Sequence, residues 1–438
     1  MKNTTSALSH PDDVRKARFY GWYIVLMACI ANFLGSGTVF YAFNAFLEPL
    51  SAARGWTRAQ INIAPMLGYM VNIGGVFFFG TIVARFGPRI LMATASLLTA
   101  TAFAALGFCR DILLFYAVFM ILFLGVSGMS GVVTATAVNN WFVRKRGTAL
   151  GIATAGVSLA GFILPRAALA IIDAGGLLSA FLWIAAAIGM VSPLSWLVVR
   201  RRPEDMGLLP DGDAATAVAD DAAAANRAGH APQGDALPPH WTFSMAVRSP
   251  AFWRIGLAYG LCMASVLGVM FQLKPRFSDV GFDGKTAMNL MAATALAGAA
   301  GKYLWARLCD RFPARNVVAT LITLNAAGLG LLLVPHSLAT AILFVVIYGF
   351  SMGGVVSTQP VLIAATFGRL AFPTIARYIW VVVGLNCIGY PIMGGSFGMT
   401  GSYGAAYSIF IAFNIVAVCL IASLKMDAKG NPIPEKKD

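Results

Sequence analysis

A chain of 438 residues that is 58% hydrophobic and only 11% charged carries more apolar sequence than a soluble core of its size needs, which marks a polytopic membrane protein. The formal net charge of +14 would suit nucleic acid, but the basic residues stand in short clusters between apolar runs, where they orient a membrane protein. No nucleic-acid partner is expected.

Residues 1–18 are polar, with Arg15, Lys16 and Arg18 close ahead of the first apolar run. No small-residue cleavage site follows, so the first helix is expected to be retained. Taking a crossing as about 20 mostly apolar residues, six spans fall before Arg200, at residues 22–45, 59–83, 90–108, 113–138, 148–171 and 177–199. Arg200 to His240 then opens with three arginines and turns rich in Ala, Asp, Gly and Pro, too poor in apolar surface to fold alone. Six more spans follow Pro250, at residues 252–273, 287–308, 317–334, 338–367, 375–397 and 403–424. The predicted fold class is an all-α membrane protein of twelve transmembrane helices in two six-helix bundles, residues 1–199 and 251–438, joined by a cytoplasmic linker at 200–250.

Arginine and lysine set the orientation. Arg85 and Arg89, Arg144, Lys145 and Arg146, Arg200 to Arg202, Arg307, Arg311 and Arg315, then Arg369 and Arg377 fall in alternate loops. Those loops and both termini are expected in the cytoplasm; the membrane expected is a cell membrane, a bacterial inner one. Cys29, Cys109, Cys262, Cys309, Cys387 and Cys419 lie in or beside apolar spans without CxxC spacing. They read as small hydrophobes, not as disulfides or metal ligands. Runs such as GTALGIATAGVSLAG suit close helix packing, and Pro65, Pro165 and Pro360 bend the helices that hold them.

One charge stands apart. In LAGAAGKYLWARLCDR, residues 296–311, Lys302 lies inside an apolar span. Asp310 and Arg311 mark the basic end of that helix, and at 1.5 Å per residue Lys302 sits about 12 Å deeper. A cation at that depth costs roughly 2.5 to 3.5 kcal/mol on insertion scales and usually faces a bundle interior or a substrate path. The functional reading is that Lys302 holds the negative end of an anion; the plain alternative is a lysine that snorkels to the interface. Asn32, Tyr69, Asn72, Thr134, Tyr259, Gln272, Thr294, Gln359, Trp380 and Asn386 are the further candidates to line a central space, by span position. An isolated amide in a membrane helix also serves simply to bond a neighbouring helix. No HExxH, P-loop or Gly-x-Ser-x-Gly pattern appears, so an enzyme has no motif behind it.

The loops after the second and eighth spans read GTIVARFGPR, residues 80–89, and ARLCDRFPAR, residues 306–315. Each resembles the repeated G-x-x-x-D-R-x-G-R signature of the major facilitator superfamily, although Ala84 replaces the first acid and Ala306 and Pro313 replace glycines. The resemblance covers nearly the whole chain, and it implies that Asp310 and Arg311 make charge contacts stabilising one side of a transport cycle. Three stretches resemble a narrower branch, that of the monocarboxylate transporters and the oxalate:formate antiporter. They are RFYGWYIV at 18–25, NNWFVRKRGTALGIATAG at 139–156 and RPEDMGLLPDG at 202–212. The basic residues of the second, Arg144, Lys145 and Arg146, are assigned to orientation and gating. In that branch a cation in the eighth helix binds substrate carboxylate, and the matching position here is Lys302. Trp380 matches an aromatic cage position of the antiporter, while Gly131 and Val157 are small where other cage residues stand. No second membrane cation matches the antiporter's helix eleven, so one carboxylate suits the site better than two.

The resemblance implies a monomeric secondary transporter of small monocarboxylates such as lactate or pyruvate, needing no cofactor. No Asp or Glu lies well inside any span, so a coupled proton would ride on Lys302 itself. The alternatives are an exchanger of the oxalate/formate type, a carrier or efflux pump for other organic or aromatic acids, and a carboxylate sensor signalling through the linker.

Overall fold

The computed structural model describes residues 19–212, 243–334, 337–368 and 371–424. The N-terminal basic residues, Arg369 and most of the expected linker lie outside the described residues. Among those residues the chain is helical throughout, without a strand. The helices are α1 (Gly21–Phe40), α2 (Arg58–Phe86), α3 (Pro88–Phe108) and α4 (Ile112–Met129, resumed as Val132–Trp141). The run Arg146–Gly189 follows, and left-handed Gly176, at φ 80°, divides it into α5 at 146–175 and α6 at 177–189, which Val191–Val198 extends. The later helices are α7 (Pro250–Asp279), α8 (Gly284–Leu308), α9 (Ala314–Gly330) and α10 (Leu338–Phe367). Then come α11 (Phe372–Val383, Gly384–Ile388 and Gly389–Thr400) and α12 (Gly404–Ala422).

Gly176 makes a hairpin rather than a bend. Leu164 of α5 lies beside Gly37 near the end of α1, and the Phe181 ring of α6 lies 4.5 Å from that of Phe46 just beyond it. Tyr20, at the start of α1, donates to the Val198 carbonyl at 2.8 Å, so α6 has returned to the level where α5 began. Only a residue without Cβ enters that left-handed turn at little cost. Nine described segments are long and apolar enough to cross a membrane. One of them spans both α5 and α6, and with α8 and the shorter α9 the helices accommodate the expected twelve passages.

Helix ends and breaks are closed locally. Asp111 accepts the Leu113 and Leu114 amides at 2.9 Å at the start of α4, and Thr57 with Gln60 forms a capping box on α2. In mid-membrane α4 breaks at Ser130 and Gly131. The Asn32 side chain mends it, its Oδ1 accepting from the Gly131 amide at 3.3 Å and the Thr134 hydroxyl at 3.2 Å while its Nδ2 donates to the Ala153 carbonyl at 2.9 Å. Backbone groups freed inside a bilayer have to be satisfied by protein, and here one amide does it for α1, α4 and α5 together.

The two halves meet along α5 with α8 and α2 with α11. At the end of the bundle that carries Arg144 and Asp310, hereafter the basic end, buried side chains of both halves form one continuous cluster, from Ile24, Phe142 and Leu150 to Phe252, Val318 and Ile379. The other large clusters are separate. One lies wholly before residue 200, around Phe46, Phe103 and Phe181; the other lies within the second half, around Phe277, Phe344 and Tyr407. The molecule is thus knit across the halves at its basic end.

Candidate functional site

Close approach of α5 to α8 begins with glycine. A Cβ at Gly147 would strike the Ala306 carbonyl, and one at Gly151 would press on the backbone of Lys302 and Tyr303. At this spacing a side chain on one helix reaches the backbone of the other. Two side chains, Asp310 just past the end of α8 and Lys302 within it, bond α5 across this gap, the first of them to backbone. At the basic end the Asp310 carboxylate accepts from the Gly147 amide at 2.5 Å, the Thr148 amide at 2.7 Å and the Thr148 hydroxyl at 2.6 Å. An acid of the second half therefore caps the N-terminus of a helix of the first, where unpaired amides and the helix dipole both favour a negative charge. Burial pushes the Asp310 carboxyl above the ordinary carboxylate range, nearby Asp211 adding to the effect and the three donors opposing it.

Deeper along the same pair of helices, Lys302 is 6% exposed and its Nζ donates to Ser158 Oγ at 2.7 Å. The ammonium is therefore directed at α5 and not at the membrane surface. Among the described residues no carboxylate pairs with it.

The second seam joins α2 to α11. The Tyr69 hydroxyl bonds the Asn386 amide, 2.9 Å from Nδ2. Both residues line a small cavity with Asn72, Ile73, Val76, Gly384 and Trp380. Nearer the basic end the Arg377 guanidinium lies 4.5 Å from the Tyr378 ring and 5.4 Å from that of Phe77, and donates to the Thr81 hydroxyl. Arg377, expected in a loop, stands inside α11 and bridges the halves.

The structure brings Tyr69, Trp380 and Asn386 to one cavity, and sets Lys302 at the other seam. Asn32 is engaged at the break in α4, as described above. Tyr259 is fully buried and its hydroxyl is 3.0 Å from that of Thr358, a contact between α7 and α10 inside the second half. Gln359 is fully buried and neither atom of its amide has a partner among the described residues; Asn139 on α4 shares that condition. A buried amide in that state is one that water or a polar ligand would satisfy.

The three sequence stretches that resemble the narrower branch meet in space. Phe19 and Tyr20 pack 5.9 and 5.4 Å from Trp141, and Trp22 lies 5.0 Å from Phe142. The Trp141 indole donates to the Arg200 carbonyl at 3.2 Å and Asn140 to that of Arg201 at 3.0 Å. Asp211, in a left-handed conformation at φ 61°, accepts the amides of Val143, Arg144 and Lys145 at 2.7 to 3.2 Å. Arg146 Nε donates to the Phe142 carbonyl at 3.3 Å, and Arg311 is exposed. The stretches are one packed unit beneath the first half, delivering α5 to Asp310.

Sequence reasoning passed over Ser158, Thr148 and Asp211. Serine and threonine are common in membrane helices and carry no mark of a cross-bundle partner. Asp211 could have been suspected, since it lies in the 202–212 stretch and its Pro-Asp-Gly is a turn signal. All six cysteines are free thiols, and Cys419 is exposed on α12 instead of buried.

A helical membrane protein with two halves sealed at one end by α5–α8 and α2–α11 contacts has the architecture of a secondary carrier. The family model of the Major Facilitator Superfamily matches residues 25–384, and the chain belongs to that superfamily. Among curated relatives, the oxalate:formate antiporter of Oxalobacter formigenes is 26% identical over 41% of this chain, an alignment spanning only 42% of the antiporter. Monocarboxylate transporter 13 of Rattus norvegicus is 25% identical over 92% of this chain and 89% of its own length. Solved structures share the fold. The proton:xylose symporter XylE superposes with a TM-score of 0.71 at 14% identity, covering 94% of this chain and 97% of that one. The human organic anion transporter MFSD10 does so at 0.66 and 16% identity, covering 92% and 99%.

Proposed function

We propose that this major facilitator is a secondary transporter of small monocarboxylates, of lactate or pyruvate size, that works by alternating access and moves one proton with each anion. The observation that carries the reading is Lys302, a buried cation at membrane depth whose hydrogen-bond partner is a neutral hydroxyl on the opposite half. An isolated buried charge is costly, and an anion of single charge is what it lacks. The full-length similarity to a monocarboxylate transporter supports the substrate class. Trp380, Tyr69 and Asn386, at the neighbouring seam, would shape the remainder of the site. The bundles are residues 1–199 and 251–438, with 200–250 between them. The chain acts as a monomer in a cell membrane, a bacterial inner membrane on this reading, with both termini cytoplasmic. The basic end then faces the cytoplasm, and the packing of both halves there supports reading this state as closed to it.

Anion and proton reinforce each other's binding, because a proton retained on Lys302 is what attracts the carboxylate, and coupling of this kind is reciprocal. Uptake of labelled lactate or pyruvate into proteoliposomes tests the proposal. Acceleration by an imposed pH gradient, with little response to voltage, is expected. Lys302→Gln should abolish saturable binding in a folded protein, and Lys302→Arg should keep part of it, since the guanidinium preserves charge but not shape. Normal binding and transport by Lys302→Gln would refute the assignment. A second reading, exchange of the oxalate/formate kind, draws on the partial match to that antiporter. Uptake that ignores pH and requires a carboxylate on the far side of the membrane would establish it instead.

A further inference from the structure

Lys302 and Ser158 together have more donors than the described residues can accept. An ammonium carries three N–H donors and no acceptor. Of these, Lys302 uses one, toward Ser158 Oγ at 2.7 Å. Ser158 accepts that bond and keeps its own hydroxyl proton. One turn earlier Thr154 spends its proton on the Leu150 carbonyl at 2.8 Å, the usual outlet for a hydroxyl in a helix. The Ser158 hydroxyl has no such acceptor among the described residues, although both Ser158 and Lys302 are buried. Two N–H groups, one O–H group and one positive charge therefore stand together without an acceptor or a counter-charge among the described residues. Buried polar groups are nearly always paired, and a species with one negative charge and two acceptor atoms would supply the counter-charge and take two of these three donors.

We propose that Ser158 is the second donor of the anion site. One carboxylate oxygen takes an N–H of Lys302, the other takes the hydroxyl of Ser158, and the Lys302–Ser158 bond itself stays in place. The inference rests on the reading of Lys302 as the anion anchor and adds a consequence. The bound monocarboxylate is shared between α8 of one half and α5 of the other, the same two helices that Asp310 joins at the basic end. An anion gripped from both sides binds the state in which α5 and α8 touch more tightly than a state in which they part, and so shifts the population toward the closed basic end.

The test uses the full-length chain, reconstituted, with equilibrium binding of a panel of labelled monocarboxylates from formate through lactate and pyruvate to benzoate. Loss of one hydrogen bond to a charged group predicts an affinity about 10- to 100-fold weaker for Ser158→Ala. Ser158→Thr, which keeps the hydroxyl, should stay within about threefold of the parent, and Ser158→Cys, a weaker donor, should fall between. Ligand-free melting should change little in Ser158→Thr and fall in Ser158→Ala, which leaves the buried ammonium without its hydrogen-bond partner. If Ser158→Ala binds like the parent while Lys302→Gln does not bind, Ser158 is not in the site and only this inference falls. If Ser158→Ala melts lower but binds normally, the serine is structural and the inference again falls. Binding unaffected by Lys302→Gln, or absent across the panel in the parent chain, overturns the reading of Lys302 and this inference with it.

Discussion

Replacing Asp310 by alanine should open the basic end. The carboxylate supplies the acceptor for three donors of α5, at 2.5, 2.7 and 2.6 Å, all across the boundary between halves. Charge-assisted bonds contribute about 1.5 to 3 kcal/mol each in isolation. The three share one partly exposed carboxylate, and burial has already pushed that carboxyl above its ordinary range, so its desolvation offsets part of the gain. A net loss of about 2 to 3 kcal/mol is a fair magnitude, equivalent to a shift of roughly 30- to 150-fold in the ratio of closed to open molecules. Val143 and Phe312 are 48% and 57% exposed and lie beside the clamp on opposite halves, which makes them suitable for spin labels. Distance distributions between the labels should gain a longer component in Asp310→Ala, with Asp310→Asn between it and the parent because one carbonyl acceptor remains. Superimposable distributions for all three proteins would refute the argument that this acid holds the halves together.

The same carboxyl gives a pH dependence. Its pKa is raised in the closed state, so if opening returns it to water, the closed state binds more protons between the ordinary value of about 4 and the raised one. Rising pH through that window should favour opening, and Asp310→Asn should remove the response; thiol labelling of a cysteine at Phe312 over pH reads it, and a pH effect of opposite sign would contradict it. Asn32→Ala should leave the Gly131 amide and the Thr134 hydroxyl without their acceptor at the break in α4, lowering stability by about 1 to 3 kcal/mol. A melting temperature in detergent equal to that of the parent would show that the break mends itself by another route.

The sequence alone carries the membrane class, the spacing of the spans, the family signature and the depth of Lys302, because each follows from local quantities: apolar run length, loop charge and the rise per residue of a helix. It does not carry the partners. A membrane helix is apolar toward lipid and apolar toward its neighbours, so hydropathy leaves its inward face unmarked. Span position sets Tyr259 and Asn32 on a central space, and it gives no hint that the first bonds Thr358 or that the second ties α1 to α4 and α5. Gln359, chosen on the same ground, stands buried with its amide unpaired among the described residues. Lys302 meets Ser158 across 144 residues, and Tyr69 meets Asn386 across 317. Those pairings exist only when the halves are docked, and Gly147 and Gly151 bring α5 close enough to α8 for Asp310 to reach its amides. Which end of the molecule is sealed, and by which side chains, is a property of that docking, and no single span contains it.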